Sequence, residues 1–339
     1  MHDTTPLAQP GRSTPDSRQR PLPGAVLALL AAMTLLLAAA PALAQPGAGG
    51  RTLRVGPGHE LKVPSAAARV ARDGDTVEID GGIYRGDVAV WRQSRLTLRG
   101  VNGRPHLIAA GKAAEGKAIW VIKGDDVTVE NIEFSGARVS GFAGAGIRSE
   151  GPLLRIRNCH FHDNQMGLLA GNFPNNALVI TGSRFDHNTV DHERHGHLGH
   201  NIYVGRIARF ELRDSDVYGA QTGHQVKTRA RRSEITGNRI RDFGGASSYL
   251  IDVSQGGDAR ISNNDLFQSA LSPNRAAIAY AAEAKDSPWP GVLVVSGNRF
   301  TSEGSPGILV RNLSGRDVIL SGNELTGRIT PLKGPGLVR

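Results

Sequence analysis

The chain is poor in cysteine, in aromatic residues and in any helical hydrophobic period, and each shortage removes a class of answer. A single cysteine, Cys159, among 339 residues excludes an internal disulfide, a CxxC redox pair and a multi-thiolate zinc site. Aromatic residues make up only 5% of the chain, and no recognition-helix pattern is present, which weighs against nucleic acid as a partner. The 43 glycines, about 13% of residues and roughly twice the usual share, follow no collagen period. They are spread evenly, which predicts many tight turns. The length is ample for a full hydrophobic core, so stability has to come from packing and backbone pairing.

Residues 25–44, AVLALLAAMTLLLAAAPALA, follow Arg12, Arg18 and Arg20 and end in Ala42-Leu43-Ala44. Ala richness, Pro41 and the small-residue ending read as a cleavable secretory signal rather than a retained anchor, with cleavage after Ala44. No Arg-Arg pair points to a twin-arginine route. The expected organisation is a signal peptide over 1–44, a linker over 45–51, one domain over 52–330 and a C-terminal tail over 331–339. The mature product is expected to be periplasmic or secreted, monomeric and without a stable membrane span. The chain carries 40 Lys and Arg against 31 Asp and Glu, a formal charge of +9; without the signal's three Arg and two Asp it remains basic at +8. A basic exported protein favours anionic polymers, and acidic polysaccharide is the partner expected here.

One short pattern then recurs: VENIEF at 129–134, IRNCHF at 156–161, ITGSRF at 180–185, LRDSDV at 212–217, ITGNRI at 235–240, ISNNDL at 261–266, VSGNRF at 295–300 and LSGNEL at 320–325. Its last apolar positions are 23 to 34 residues apart. Each unit holds a second alternating run: AGIRS, MGLLA, NIYVG, QVKTR, LIDVS, AIAYA, GILVR. Short alternating runs bounded by Gly, Asn and Ser, with no helical period between them, cannot be the crossover units of a doubly wound sheet. They fit a parallel solenoid whose stacked coils align equivalent side chains into ladders. Phe134, Phe161 and Phe185 are then expected to stack inside, Asn238, Asn264, Asn298 and Asn323 to form a polar ladder at a turn, and Cys159 to be a small inward thiol on that ladder.

These repeats, with the opening VPSAAARVARDGDTVEIDGGIYRG at 63–86, resemble the right-handed parallel β-helix proteins of the pectate-lyase-like superfamily over about residues 52–325. The fold this implies is all-β: a single-stranded right-handed parallel β-helix of about ten coils with a short N-terminal capping helix. Ser65 is expected to cap that helix, which runs through Arg72 and covers the first coil.

Aligning the second runs puts Ile147, Leu168, Ile202, Val226, Ile251, Ile278 and Ile308 at one inward position, with flanking residues pointing out. The outward column after it reads Arg148, Leu169, Tyr203, Lys227, Asp252, Ala279, Leu309. The column before it includes Asn201 and Gln225, and Arg229 occupies the next outward position. Three coils thus gather polar groups where their neighbours offer Gly, Leu and Ala. Elimination on a uronate needs its carboxylate neutralised, the C5 proton removed and the leaving oxygen assisted. Lys227, Arg229 and Tyr203 are the expected catalytic residues, Lys227 as base with its pKa lowered by Arg229 and opposed by Asp252. Asn201, Gln225, Asp252, Arg206 and Trp289 are expected to bind substrate, and His200 and His224 to position Tyr203 and Lys227.

The resemblance implies a similar use of Lys or Arg as base, in several of its lyases with calcium. No cofactor follows from the residues themselves, since no clustered outward Asp/Glu set suits calcium. A paired-carboxylate hydrolase has only Asp214, Asp216 and Asp252 to draw on, which ranks hydrolysis below elimination. His187, His192, His195, His197 and His200 crowd one segment, but in an inserted loop without fixed ligand spacing, so no metal ligands are assigned. Insertions at 186–199 and 281–291 are expected to wall the same face. The reading is a polysaccharide lyase or uronate epimerase, with a non-catalytic polysaccharide-binding or structural β-helix as the alternative.

Overall fold

A computed structural model describes residues 50–190, 199–243, 246–284, 289–304 and 306–339. The expected signal peptide lies outside the described residues. Among those residues no helix is long and apolar enough to cross a membrane.

The architecture is a parallel β-helix in which each regular coil contributes three strands. One sheet stacks ten strands, from Ala89–Trp91 to Ile329–Lys333, one per coil. The other two strand columns form a twenty-stranded sheet. All pairings between these strands are parallel, and apart from one register shift between Asp80 and Gly82 they stay in register, for example Phe134↔Phe161↔Phe185↔Val217↔Ile240↔Leu266↔Phe300↔Leu325. Parallel crossovers of this kind wind right-handed.

The repeated motif is a corner. Its third residue, Asn131, Asn158, Gly182, Asp214, Gly237, Asn263, Gly297 or Gly322, has φ between +48° and +72°. Only Gly, Asn and Asp enter that left-handed region at low cost. The next residue is thereby turned inward, and its side chain joins a buried ladder. Asn238 donates from Nδ2 to Asn264 Oδ1, Asn264 to Asn298 and Asn298 to Asn323, each at 2.9 Å. The backbone N–H of Cys159 donates to Ser183 Oγ, that of Ser183 to Ser215 Oγ and that of Ser215 to Asn238 Oδ1. Cys159 is the inward thiol expected, and burial pushes its pKa up to about 12. The rings of Phe134, Phe161 and Phe185 stack nearly parallel at centroid distances of 5.0 and 4.7 Å.

Two expectations about the ends change. The capping helix is Pro64–Val70, with Val63 as N-cap and no side-chain cap; Pro64 starts it because its fixed φ and missing N–H suit the first turn. Ser65 is therefore inside the helix, its N–H bonded to Asp87 Oδ2 at 2.9 Å. Residues 331–339 are not a loose tail: Ile329–Lys333 pairs with Gly307–Asn312, and Gly336–Val338 with Val318–Ser321.

Candidate functional site

The strands Ile202–Val204, Val226–Thr228 and Ile251–Val253 are consecutive rungs of the ten-stranded sheet. Their register sets Tyr203, Lys227 and Asp252 side by side, as expected from the aligned runs. A concavity of about 490 Å³ opens over them, lined also by His200, His224, Arg229, Tyr249, Asn274 and Glu283.

Lys227 and Asp252 are not a solvated surface pair. They are only 6% and 2% exposed, because neighbouring coils and the segment carrying Glu283 close over them. Lys227 Nζ donates to Asp252 Oδ2 at 2.5 Å and to Glu283 Oε1 at 2.9 Å. Asp252 Oδ2 also accepts from Ser254 Oγ at 2.7 Å. Burial alone would depress the Lys227 pKa, yet the two carboxylates outweigh it and hold the ammonium above the ordinary lysine value. The expectation of a base acidified by Arg229 is thus corrected.

Arg229 has its own carboxylate. Its Nε and Nη2 donate to Glu283 Oε2 at 2.9 and 2.7 Å. Its Nη1 donates to the Tyr203 hydroxyl, and the guanidinium lies 5.1 Å from the centre of that ring. Burial would raise the Glu283 pKa, but Lys227 and Arg229 together pull it below the usual glutamate range. One carboxylate, supplied by the chain itself, thus rests on a Lys-Arg pair beside a phenol.

The histidines form a stacked column along the groove wall. His200, His224 and Tyr249 follow one another at 5.1 and 5.4 Å, and His200 also stacks on Tyr203 at 5.5 Å. The backbone N–H of His224 donates to His200 Nδ1 at 2.8 Å, and that of Tyr249 to His224 Nδ1 at 3.1 Å. Nδ1 of each is therefore an acceptor, which leaves Nε2 as the protonated nitrogen of the neutral ring. His224 Nε2 stands 3.3 Å from Asp252 Oδ2 and so orients that carboxylate toward Lys227.

Other expected site residues lie elsewhere. Asn201 and Gln225 are fully buried: Asn188 Nδ2 donates to Asn201 Oδ1 at 2.7 Å, and Asn201 Nδ2 to Gln225 Oε1 at 2.6 Å. The chain turns a corner just before these strands, so two successive residues face inward and alternation fails. Arg206 bonds Gln255 Oε1 at 2.8 Å, and Gln255 lines a neighbouring depression that holds Trp289. Trp289 itself packs under Arg231, whose guanidinium carbon is 5.8 Å from the ring. In the ninth rung the residue matching Ile278 is Val310, not Ile308, and Arg311 replaces Leu309 in the outward column. That strand begins early, and its leading glycine mimics Gly146 and Gly167. His187 bonds Asp186 in the other sheet at 2.8 Å; His192, His195 and His197 lie outside the described residues. Asp216 lies in a strand of the other sheet, on Arg241 at 2.5 Å, and Asp214 is the corner residue just before it, so neither faces Asp252. Both groove carboxylates are neutralised by cationic side chains, and this donor set does not fit a calcium ion.

Sequence reasoning missed Glu283. Glu283 belongs to the insertion 281–291, which follows no repeat; the available signal was an acid in an inserted loop opposite a Lys/Arg strand. The buried amides Asn164 and Asn188, which share the spacing F-x-x-N after Phe161 and Phe185, were visible as a second repeat.

No family model matches the chain, and no curated protein matches it by sequence. Solved structures do. A pectate lyase, Pel9A, superposes with a TM-score of 0.61 at 14% identity, over 83% of this chain and 77% of that one. An alginate lyase from Paenibacillus sp. str. FPU-7 gives 0.52 at 14% identity, over 84% and 99%. The fold is the right-handed parallel β-helix. At this identity the likeness is one of fold, and activity has to be argued from the groove.

Proposed function

We propose that the groove over Tyr203, Lys227 and Arg229 receives a uronate residue of an acidic polysaccharide and supports its β-elimination. The observation that carries this is the Glu283 carboxylate, held by Lys227 at 2.9 Å and by Arg229 at 2.7 Å. A sugar carboxylate has the same planar pair of oxygens, and a Lys-Arg pair in a walled groove is suited to it. On substrate entry the uronate takes the place of Glu283. Neutralising its carboxylate acidifies the C5–H bond. Acting as a phenolate, with its oxygen held by Arg229, Tyr203 would take the C5 proton as the C4–C5 double bond forms and the C4–O4 bond breaks, then return that proton to O4. Lys227 stays charged and holds the carboxylate. The run 25–44 supports export to the compartment where such polymers occur.

A second reading, retention of an acidic glycan without turnover, is favoured by one specific fact: Lys227 is buried with its charge fixed by two carboxylates. The test is ultraviolet absorbance of the conjugated uronate on alginate, pectate and chondroitin, paired with binding measurements. Tyr203→Phe is expected to keep binding and lose about two to four orders of magnitude of rate; Arg229→Ala is expected to lose both, and Glu283→Gln to bind the polymer more tightly. Lys227→Ala is a poor probe, because stranding Asp252 costs about 3–5 kcal/mol of stability. Binding without absorbance in the parent leaves the second reading, and no binding to any of these polymers overturns both.

A further inference from the structure

On the twenty-stranded sheet, far in sequence from the groove residues, three consecutive coils bring His106, Glu133 and His162 together. His106 pairs in register with Glu133, and His162 sits in the next rung, two residues along from the partner of Glu133. Glu133 Oε1 is 3.4 Å from His106 Nδ1 and 3.0 Å from His162 Nε2. One ligand atom from each residue lies within 4.8 Å of the others, and all three residues are half-buried.

The far nitrogens are also committed. His106 Nε2 bonds Ser135 Oγ at 2.7 Å, and His162 Nδ1 bonds Asp163 Oδ2 at 2.7 Å. A carboxylate only accepts, so Asp163 takes a hydrogen bond from Nδ1–H of His162. In the neutral ring Nε2 is then a lone pair aimed at a second carboxylate, Glu133. Two lone-pair groups 3.0 Å apart require a cation between them, either a proton or a metal. A carboxylate or hydroxyl behind each imidazole is the arrangement that orients a histidine as a metal ligand. The neighbouring His160 adds no fourth ligand, since its Nε2 is held by Asp186 at 2.6 Å.

We propose that His106 Nδ1, Glu133 and His162 Nε2 form a site for a late first-row divalent cation, with Zn²⁺ the best match to two imidazoles and one carboxylate. Zinc–nitrogen bonds of about 2.0–2.1 Å in a tetrahedral shell put neighbouring ligand atoms roughly 3.3 Å apart, close to the two separations to Glu133. Solvent completes the shell on the open side. The ion would clamp three coils across one rung each, so its role is stabilisation and it stands apart from the uronate reading.

The experiment is calorimetric titration of the chelator-treated full chain with ZnCl₂, with Co²⁺ absorption as a second readout. One tight equivalent is expected. It should weaken about tenfold or more in His106→Ala, in His162→Ala and in Glu133→Gln, while a variant with His192, His195 and His197 all changed to Ala keeps it. Zn²⁺ should raise the melting temperature of the parent but not of Glu133→Gln, whose fold is checked by circular dichroism. Absence of Zn²⁺ binding, equal binding by the three site variants, or loss of binding only in the loop variant would overturn the proposal and leave a proton between His162 and Glu133.

Discussion

At the scale of single residues, what matters is which buried charges have partners. Lys227 has two, and its charge is an asset to the fold. Asp242 is different: it is fully buried, and no cationic side chain is among the groups that support its ionised form, which are the Ser269 N–H at 2.6 Å, the Ser269 side chain and its own backbone. Burial outweighs these hydrogen bonds and pushes its pKa up to about 6. An unfolded aspartate titrates near 3.9, so between about pH 4 and pH 6 the folded chain binds the proton more tightly than the unfolded one. The contribution of Asp242 to stability therefore falls as pH rises through this window, by on the order of 3 kcal/mol, and stays lower above it, opposite in sign to carboxylates such as Glu115 and Glu283 whose pKa is lowered. Asp242→Asn, which cannot ionise, is expected to flatten this slope. Urea midpoints of parent and variant from pH 4 to 7 check it, and parallel curves would show that Asp242 is not the group responsible.

At the scale of the element, the corner between the two strand columns of the larger sheet explains why the repeat was legible. A left-handed residue admits few side chains, so Asn131, Gly182, Asp214 and Gly322 stand out from any background. The short strand after each corner adds a second regularity: Glu133, His160, Arg184, Asp216, Arg239, Asp265, Arg299 and Glu324 are register partners in turn. From Glu133 on, acidic and basic side chains mostly alternate, which favours in-register stacking by a few tenths of a kcal/mol per pair. Gly322 isolates the backbone term, because a Cβ built there meets nothing within 4 Å while φ is +60°. Gly322→Ala is expected to cost about 1–2 kcal/mol and Gly322→Asn much less, measured by chemical denaturation. Equal costs would mean that the corner is not what selects these residues. The site was less legible for two physical reasons. Corner residues such as Asn201 and Gln225 turn inward in succession and defeat period-two reasoning, and Glu283 arrives on an insertion that obeys no period. The rungs themselves were readable, so Tyr203, Lys227 and Asp252 could be aligned before their burial could be known.

At the scale of the whole molecule, the β-helix has a nearly one-dimensional economy of contacts. Each coil touches the coils above and below it, and the interior is a set of columns rather than a central core. In such a solid a perturbation should be felt by nearest neighbours and fade within a rung or two. The Phe column offers a direct measurement. Phe161 and Phe185 are adjacent, with rings stacked at 4.7 Å, whereas Phe300 stands five rungs beyond Phe161 in the same register, roughly 24 Å away at the usual strand spacing. Replacement by Leu keeps most of the volume and is expected to cost about 1 kcal/mol at each position, small enough for the chain to stay folded. In a double-mutant cycle Phe161→Leu with Phe185→Leu should show about 0.5–1 kcal/mol of coupling, the stacking lost by both together. Phe161→Leu with Phe300→Leu should add to within about 0.3–0.5 kcal/mol. Coupling as large for the distant pair as for the adjacent one would refute the nearest-neighbour picture, since strain would then travel through several coils. Additivity in both pairs would mean that the rings act as separate apolar fillers and that the stack itself contributes nothing.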